Sequence, residues 1–463
     1  MSVSKSPLVN AARQGDALTS NGAVTNSTSL NSVVDLFFLA GASRTMSEPN
    51  IIKIFTAALA ENKRLAYKCL FWARDVRGGA GERRFFQIIM KHLRDNYNKD
   101  WKFLYQHIPE YGYWKDFFLM TPNRELIDFV INKLRANDGL CAKWMPRKGD
   151  WFNAVRRTMD VPPKTLRTLI VVNTKVVEQQ MCARKWDEIN YSHVPSLAFN
   201  IYKKAFDRHD PARFHTFLEA AIAGKAKVNA GAIFPYQLYE SFKKGDSQDS
   251  IIAQWNNLPN YVSDGSSFLP VCDVSGSMQG MPILISVSLG VYLSERNKSV
   301  FKDAFITFNG KPRMMHLNGN VVERFRQLEN SDRDMCQNTN LQATFQLILN
   351  AAIQNKLNAE DLPKTLMIIS DMEFDAACGR HSNYTAIETQ YKSAGYPMPK
   401  IVFWNVNGRI GNVPVSANQK DVALVSGASP AIVKSVLSGS DFTPTGIMLQ
   451  TLNSERYAPI TLE

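Results

Sequence analysis

Apolar residues recur at helical spacing through the first half of the chain. In one segment Phe85, Ile88, Ile89 and Leu93 are spaced by three and four residues, which places them on one face of a helix. Segments of this kind predict helices over residues 50–62, 81–93, 123–135, 164–181, 196–207 and 211–222. Short loops with Gly or Pro separate the segments, so the pattern predicts an all-α array of stacked helical hairpins over residues 33–250.

The pattern changes near residue 260, where short β-rich runs begin to alternate with helical ones. The predicted strands are Phe268–Asp273, Phe301–Phe308, Lys364–Asp371, Lys400–Val406 and Val422–Ser426, and the predicted helices are 280–294, 340–356, 383–394 and 443–456. Strands that alternate with helices indicate a parallel, doubly wound sheet. We therefore predict a multidomain α plus α/β protein, in which a helical-repeat, HEAT-like array precedes a doubly wound, Rossmann-like domain over residues 251–463.

Residues 1–32 follow neither pattern. They are rich in Ser, Asn, Thr, Gly and Ala and hold few large apolar side chains. Such a segment buries too little surface to offset the entropy of ordering it. We predict that residues 1–32 form a flexible N-terminal arm.

The net charge of +12 is concentrated in the first half of the chain. Residues 1–250 hold 37 Lys and Arg against 24 Asp and Glu, whereas residues 251–463 hold 17 against 18. This asymmetry indicates a polyanionic partner for the helical half. The six cysteines are scattered, and no run has the length of a membrane span or the pattern of a signal peptide, so we expect a cytoplasmic protein without a membrane partner.

A candidate metal site combines three segments of the second half. Asp273 ends an apolar strand and opens the motif D-x-S-x-S, which adds Ser275 and Ser277. Asp371 ends a second apolar strand, and Thr339 stands just ahead of a predicted helix. In a doubly wound sheet, ligands gather where the strand ends meet the crevice at the topological switch point. The five side chains are therefore predicted to hold one metal ion.

The oxygen donors of this set suit Mg²⁺, or another divalent cation such as Mn²⁺. If hydroxyls bind the metal directly and the carboxylates contact it through bound water, the metal stays electrophilic. It can then accept a carboxylate or phosphate from a partner. The alternative is that the site stays empty or only stabilises its loops. Glu373 and Asp375 follow closely. They could strengthen metal binding or be ordinary solvated acids, and we favour the second interpretation.

The three metal segments, in this order, resemble the metal-ion-dependent adhesion site of von Willebrand factor A domains. The whole chain resembles the Ro ribonucleoproteins, which join a TROVE domain to such an A domain, and is more similar to a related branch known from phages, other viruses and some cellular genomes. The helical segments that carry the resemblance are Ala73–Arg83, Ile108–Asp116, Met181–Ile189, Val194–Ala198 and Val228–Pro235, and those of the A domain are Phe268–Met278 and Asn338–Asn340.

The resemblance implies a ring of helices that the A domain closes. It also implies that single-stranded RNA ends enter a basic hole and that small structured RNAs bind outside. The basic half would then be the RNA-binding half, with phosphate contacts and aromatic stacking on bases as the main interactions.

One candidate RNA contact is the glycine turn at residues 78–81. Arg74, Arg77, Arg83 and Arg84 surround it, and a glycine turn that opens a helix can present free N–H groups to a phosphate. The alternative is a turn between two packed helices, in which Arg74 and Arg83 pair with Asp75 and Glu82.

Basic and aromatic residues interleave further along the chain, which is typical of a surface that stacks bases and binds phosphates. The alternatives are core packing for the tryptophans and solvated faces for the basic residues. The candidate contacts are Lys143, Arg147 and Lys148 with Trp144 and Trp151, then Arg156 and Arg157, and lastly Lys203 and Lys204.

No motif for catalysis is present. None of the seven histidines lies in an H-E-x-x-H pattern, and Ser275 does not lie in a G-x-S-x-G turn. We predict a non-catalytic RNA-binding scaffold whose Mg²⁺-bearing A domain recruits a protein partner. The alternatives are a metal-dependent adhesion or assembly module, such as a virion or host-interaction protein, and more remotely a metal-dependent nuclease.

Overall fold

A computed structural model describes residues 15–174, 176–308, 312–331, 340–376, 383–439 and 441–461. The chain divides into two compact units, one of residues up to Ile89 with Gly231–Pro459, the other of Met90–Ala230 with the residues from Ile460 onward. Helices dominate before residue 260 and an α/β arrangement follows, which confirms the predicted class of α plus α/β. No helix in the described ranges is long and apolar enough to cross a lipid bilayer.

The first half begins with a two-stranded antiparallel hairpin, β1 (Ala17–Leu18) and β2 (Val24–Thr25). The helices that follow are α1 (Ser32–Ala40), α2 (Glu48–Glu61), α3 (Lys63–Arg74), α4 (Arg83–Asn96), α5 (Asn98–Leu104), α6 (Ile108–Tyr111), α7 (Trp114–Phe117), α8 (Arg124–Arg135), α9 (Gly139–Trp144), α10 (Asp150–Thr158), α11 (Pro163–Asn173), α12 (Val177–Cys182), α13 (Ser196–His209), α14 (Pro211–Ile222), α15 (Pro235–Lys243) and α16 (Gln248–Asn256).

The second half alternates strands with helices. Its elements are β3 (Phe268–Asp273), α17 (Met281–Arg296), β4 (Ala304–Phe308), β5 (Arg313–His316), α18 (Val321–Ser331), α19 (Leu341–Asn355), β6 (Thr365–Ser370), α20 (Asn383–Ala394), β7 (Lys400–Asn405), β8 (Val422–Ser426), α21 (Ile432–Leu437) and α22 (Pro444–Leu452). Short 3-10 turns lie at Tyr105–His107, Tyr191–His193, Gly276–Met278, Ala359–Asp361 and Glu455–Tyr457.

Strands β3 to β8 form one six-stranded sheet in the order β5-β4-β3-β6-β7-β8. All neighbours pair in parallel except β4 and β5, which are antiparallel. Every residue of β3, β4, β6 and β8 is buried, so protein covers both faces of the sheet, as a parallel sheet requires. The switch point of this order lies between β3 and β6, where the chain turns from building one side of the sheet to building the other.

The helices α1 to α3 belong to the same unit as the sheet, which differs from the predicted helical domain of residues 33–250. Helix α1 buries seven of its nine residues and lies against β8. Ser426 Oγ donates to Phe37 O at 2.7 Å and accepts from Gly41 N at 3.0 Å. A helix that is apolar nearly all round must be covered on all sides, and the sheet supplies part of that cover.

The structure also differs from the predicted flexible arm over residues 15–32, while residues 1–14 lie outside the described part. Asn26 and Val413 exchange two backbone hydrogen bonds of 3.0 and 2.9 Å, and Ala417 N donates to Ser29 O at 2.9 Å. The segment is short of apolar side chains, and backbone and hydroxyl hydrogen bonds hold it instead. Composition alone does not reveal such pairing, since any residue except Pro can supply it.

Helix α17 approaches β3 closely because Gly290 faces Cys272. A Cβ atom added at Gly290 would lie 2.1 Å from Cys272 Sγ. Both residues are interior to the unit, and Cys272 directly precedes Asp273. The missing side chain thus fixes the distance between this helix and the strand that carries the candidate metal site.

We expect Gly290→Ala to lower the free energy of unfolding by about 1–3 kcal/mol, because the added methyl group overpacks the contact with Cys272. Urea unfolding followed by circular dichroism measures the change. The double variant Gly290→Ala/Cys272→Ala removes the sulfur atom and should recover most of the loss relative to Cys272→Ala alone. Equal losses in both backgrounds would show that the clash with sulfur is not the cause.

Candidate functional site

Asp273 and Asp371 lie at the same edge of the sheet. Strands β3 and β6 are parallel neighbours, with Cys272 opposite Ile369. Asp273 is the last residue of β3, and Asp371 directly follows β6. The structure therefore brings together the two carboxylates at the switch point, as the sequence analysis expects.

The Asp273 carboxylate is fully buried and held by two hydrogen bonds. Its Oδ1 accepts from Ser275 N at 2.9 Å and its Oδ2 from Ser370 Oγ at 2.5 Å. Burial, and after it the negative charge of Asp371, raises the pKa of Asp273 to about 7. The two side chains are thus close enough for their charges to oppose each other.

Asp371 is also buried, at 1% exposure. Its Oδ1 accepts from Glu373 N at 3.2 Å, whereas its Oδ2 is buried and accepts no hydrogen bond from any residue that the structure describes. Burial raises the pKa of Asp371, although the Glu373 N–H and the nearby Ser277 hydroxyl oppose this change. A buried carboxylate oxygen without a donor is costly, and a bound cation would satisfy it.

The two serines of the D-x-S-x-S motif stand beside these carboxylates. Ser275 Oγ and Ser277 Oγ lie 3.1 Å apart, with Ser275 buried and Ser277 exposed. Thr339, the fifth predicted ligand, lies outside the described residues, and α19 begins two residues after it. The structure therefore unites four of the five predicted ligands.

The donor set fits a hard divalent cation. It offers carboxylate and hydroxyl oxygens only, the ligands that Mg²⁺ prefers. Across the described ranges no group of three or more His, Cys, Asp or Glu residues is placed to hold a metal. Two buried carboxylates repel each other, and one of their oxygens lacks a hydrogen-bond donor among the described residues. A bound cation would stabilise this environment.

The prediction that Glu373 is a solvated acid is wrong. Glu373 is 3% exposed, and its Oε1 accepts from Asn412 Nδ2 at 3.1 Å and pairs with Arg409 Nη1 at 3.5 Å. Asp375, predicted in the same way, is half-buried. Ser370 is a further residue that the sequence analysis missed, since a serine inside an apolar strand carries no pattern of its own.

The N-terminal hairpin holds the loop after Asp371. Ser20 N donates to Glu373 Oε2 at 2.6 Å, Asn21 Nδ2 donates to Glu373 O at 2.8 Å, and Thr19 Oγ1 donates to Phe374 O at 2.7 Å. Met372 within the loop has a φ of +66°, a strained value that side-chain-bearing residues rarely adopt. The hairpin and Glu373 together hold Asp371 at the edge of the sheet.

Four N–H groups in and beside the glycine turn are already engaged within the fold. The N–H groups of Arg77 and Gly79 bond to Asp75, and those of Ala80 and Glu82 bond to backbone carbonyls of α3. Arg456 Nη2 and Tyr457 OH also donate to Asp75, at 2.8 and 3.1 Å. Because Asp75 is fully buried, it anchors this turn within the fold, in line with the structural alternative.

The arginines around the turn differ in accessibility. Arg74 is 1% exposed, so its prediction as an RNA contact is wrong. Arg83 is half-buried, Arg77 and Arg84 are exposed, and Arg84 Nη1 donates to Met46 O at 2.5 Å. Glu82 pairs with Arg44 at 3.3 Å. Only part of the predicted cluster is therefore open to a ligand.

The second unit carries most of the net positive charge and an exposed tryptophan flanked by two lysines. Residues 90–230 hold 24 Lys and Arg against 15 Asp and Glu. The Nζ atoms of Lys115 and Lys143 lie 5.9 and 5.7 Å from the centre of the Trp144 ring, which is 38% exposed. Cations placed over an accessible aromatic face are an arrangement that also suits a base and its phosphate.

The other predicted contacts in this unit divide into two groups. Arg147, Lys148, Arg157 and Lys204 are exposed, and Arg156 is half-buried. Trp151 is buried and donates from Nε1 to Met120 O at 2.7 Å, and Lys203 is buried with its Nζ bonded to Asn200 Oδ1 at 2.7 Å. Trp151 and Lys203 therefore support the fold, and their prediction as a binding surface is wrong.

The chain is similar to families whose function is not described. Residues 267–456 match the family described as Domain of unknown function (DUF7788), and residues 156–266 match Domain of unknown function (DUF2828). The "Uncharacterized protein L728" of Acanthamoeba polyphaga mimivirus is 28% identical over 509 residues, which cover 96% of this chain and 88% of that protein. The first match begins one residue before β3, so it includes the whole sheet and both candidate metal carboxylates.

We expect Glu373→Ala to lower the free energy of unfolding by about 2–3 kcal/mol, because the Ser20 N–H and the Asn412 amide lose their acceptor in a buried site. Proteinase K should then cut faster within residues 15–29, as judged by mass spectrometry of the fragments. Glu360→Ala, which alters an exposed acid of the same unit, is the control and should leave both measurements unchanged. Unaltered cleavage in Glu373→Ala would contradict the role of Glu373 as the anchor of the hairpin.

Proposed function

We propose that this protein is a non-catalytic binding scaffold whose α/β unit holds a divalent cation between β3 and β6 and uses it to bind an acidic group of a protein partner. The observation that supports this proposal is the pair of buried carboxylates at one sheet edge, of which Asp371 Oδ2 accepts no hydrogen bond from the described residues. The strand order and the D-x-S-x-S motif agree with a von Willebrand factor A-type domain.

The residues have distinct tasks in this proposal. Ser275 and Ser277 supply hydroxyl oxygens to the cation, with Mg²⁺ the best match and Mn²⁺ an acceptable substitute. Asp273 and Asp371 orient the metal-bound waters and balance the charge. Few negative ligands leave the cation electrophilic, so it attracts a carboxylate at its open position. A serine whose oxygen lies on the cation is not free to act as a nucleophile.

We expect Mg²⁺ at a hundred times its Kd to stabilise the wild-type protein by about 2.7 kcal/mol, because only the folded state binds it. Asp371→Asn should lose this increment. In EDTA the same variant should be at least as stable as the wild type, since it removes one of two buried like charges. Differential scanning calorimetry of the full chain with and without Mg²⁺ measures both effects, and Glu360→Gln is the matched control on an exposed site.

Peptide selection tests the binding step with the same variant. Peptides that are retained in Mg²⁺ and released by EDTA should share an Asp or Glu that cannot be replaced by Asn or Gln. Asp371→Asn should enrich none of them. The metal site would be refuted if Mg²⁺ did not stabilise the wild-type protein, or if Asp371→Asn kept the full stabilisation. Selection of neutral peptides alone would refute an acidic partner.

The second proposed function is RNA binding by the unit of residues 90–230. The excess of Lys and Arg in this unit and the exposed Trp144 between two lysines favour it. Lysines and arginines neutralise phosphates without reading sequence, and an accessible indole stacks on any base. Arg147, Lys148 and Arg157 are exposed in the same unit and extend the basic surface available to the phosphate chain.

We expect a fluorescent 12-nucleotide oligouridylate to bind with an affinity that falls steeply as salt rises. Trp144→Ala should raise its Kd roughly 5- to 150-fold, because a stacked base contributes about 1–3 kcal/mol. The double variant Arg147→Ala/Lys148→Ala should reduce the slope of log affinity against log salt by about 1.4, the value for two phosphate contacts. Lys420→Ala, in the α/β unit, is the control, and absence of binding at low salt would refute this function.

A further inference from the structure

A cleft of about 480 Å³ opens in the unit of residues 90–230. Helix α9 contributes Leu140 and Lys143, α12 contributes Val177 and Glu178, and the segment 188–195 closes the remaining side. The volume lies within the range of sites that hold small organic ligands. The lining residues belong to one unit, so the cleft is a property of that unit alone.

Lys143 and Glu178 form an ion pair in the cleft and keep spare hydrogen-bonding capacity. The other polar lining residues are Gln179, Gln180, Glu188, Asn190 and His193. Glu178 Oε1 accepts from Lys143 Nζ at 3.2 Å and from Tyr202 OH at 3.3 Å. Glu178 Oε2 is buried and accepts no hydrogen bond from the part of the chain that the structure describes. A lysine ammonium has three N–H donors, so its contact with Glu178 leaves donors for a ligand.

This pair displays a donor beside an acceptor at one side of a cleft with apolar walls. Val176, Val177, Val194 and Pro195 are among the lining residues and offer surfaces against which a flat ring can pack. A matching ligand is therefore planar and presents an acceptor directly beside N–H donors. Its N–H groups would satisfy the orphaned carboxylate oxygen, which is otherwise costly to bury.

We propose that this cleft binds a guanine base of single-stranded RNA, an inference that rests on the RNA-binding function proposed for the same unit. The Watson–Crick edge of guanine has the acceptor O6 beside the donors N1–H and N2–H, which complement Lys143 and the Glu178 carboxylate in that order. Adenine and cytosine carry only one donor group on this edge, so neither can give N–H bonds from two adjacent positions to the carboxylate. Uracil has one donor between two acceptors, and one of these would face the carboxylate oxygens.

The Trp144 ring beside the cleft can contact the neighbouring nucleotides of the RNA strand. Trp144 follows Lys143 in the chain, and Lys143 Nζ lies 5.7 Å from the Trp144 ring centre while it pairs with Glu178. A base next to the bound guanine can therefore stack on the exposed indole face. The Trp144 surface binds RNA without reading sequence, and the cleft adds a preference for one base.

Fluorescence anisotropy with the full-length protein tests the proposal. The probes are the oligouridylate 12-mer and the same strand with one central guanosine, adenosine, inosine or 7-deazaguanosine. We expect guanosine to lower the Kd at least tenfold relative to uridine and adenosine, as a bidentate contact does. Inosine, which lacks the N2 amino group, should lose most of this gain. The 7-deaza analogue keeps the Watson–Crick edge and should bind like guanosine.

Glu178→Gln tests the acceptor with little change of shape. It should bind the guanosine strand within about twofold of the oligouridylate strand, whose own Kd should match that of the wild type. Glu219→Gln makes the same charge change at an exposed position of α14 and should keep the guanine preference. The inosine comparison uses only wild-type protein, so it decides the question even if Glu178→Gln fails to fold.

The outcomes separate the two proposals. If no strand binds at low salt, the RNA-binding function fails and the guanine site fails with it. If all strands bind with one affinity, RNA binding stands and the guanine site is refuted. A guanine preference that survives Glu178→Gln would also refute this site, because the discrimination would then arise elsewhere.

Discussion

Two buried carboxylates lie close together in the α/β unit, and their mutual repulsion is the main constraint on this part of the structure. Asp273 and Asp371 end up side by side because β3 and β6 are parallel neighbours, and neither residue can move without shifting a strand of the sheet. Burial and mutual repulsion make the charged pair costly unless a cation lies between them. The surroundings enforce the arrangement: Gly290 lets α17 pack tightly on β3, Ser370 fixes Asp273, and Glu373 secures the loop after β6.

Periodicity predicted this sheet well because its strands are buried on both faces and read as apolar runs. The predicted start of Phe268 and the predicted end of Ser426 agree with β3 and β8. The edge strand β5 escaped prediction because Arg313–His316 is mostly exposed and has no apolar run. Asp273 and Asp371 could be paired from sequence because one ends an apolar strand and the other directly follows one. Glu373 has no such pattern, and its burial depends on contacts with the distant hairpin.

Long-range pairing accounts for most of what periodicity missed. Residues 15–29 bind the α/β unit through backbone groups and hydroxyls, and their partners lie more than 350 positions away. The helical period shows that α1 has apolar faces but not that β8 covers one of them. Likewise, the glycine turn looked like a phosphate site because the sequence does not show that Asp75 and carbonyl groups of α3 already accept several of its N–H groups.

The two units thus present different chemistry, a pair of buried acids at a sheet edge in one and an excess of Lys and Arg with an exposed tryptophan in the other. Anomalous diffraction from crystals grown with Mn²⁺ tests directly whether a divalent cation binds beside Asp273 and Asp371. We expect an anomalous peak within coordination distance of the Ser275 and Ser277 hydroxyls and close to the Asp273 and Asp371 carboxylates. A well-ordered site without such a peak, in which a protein side chain donates to Asp371 Oδ2, would contradict this expectation.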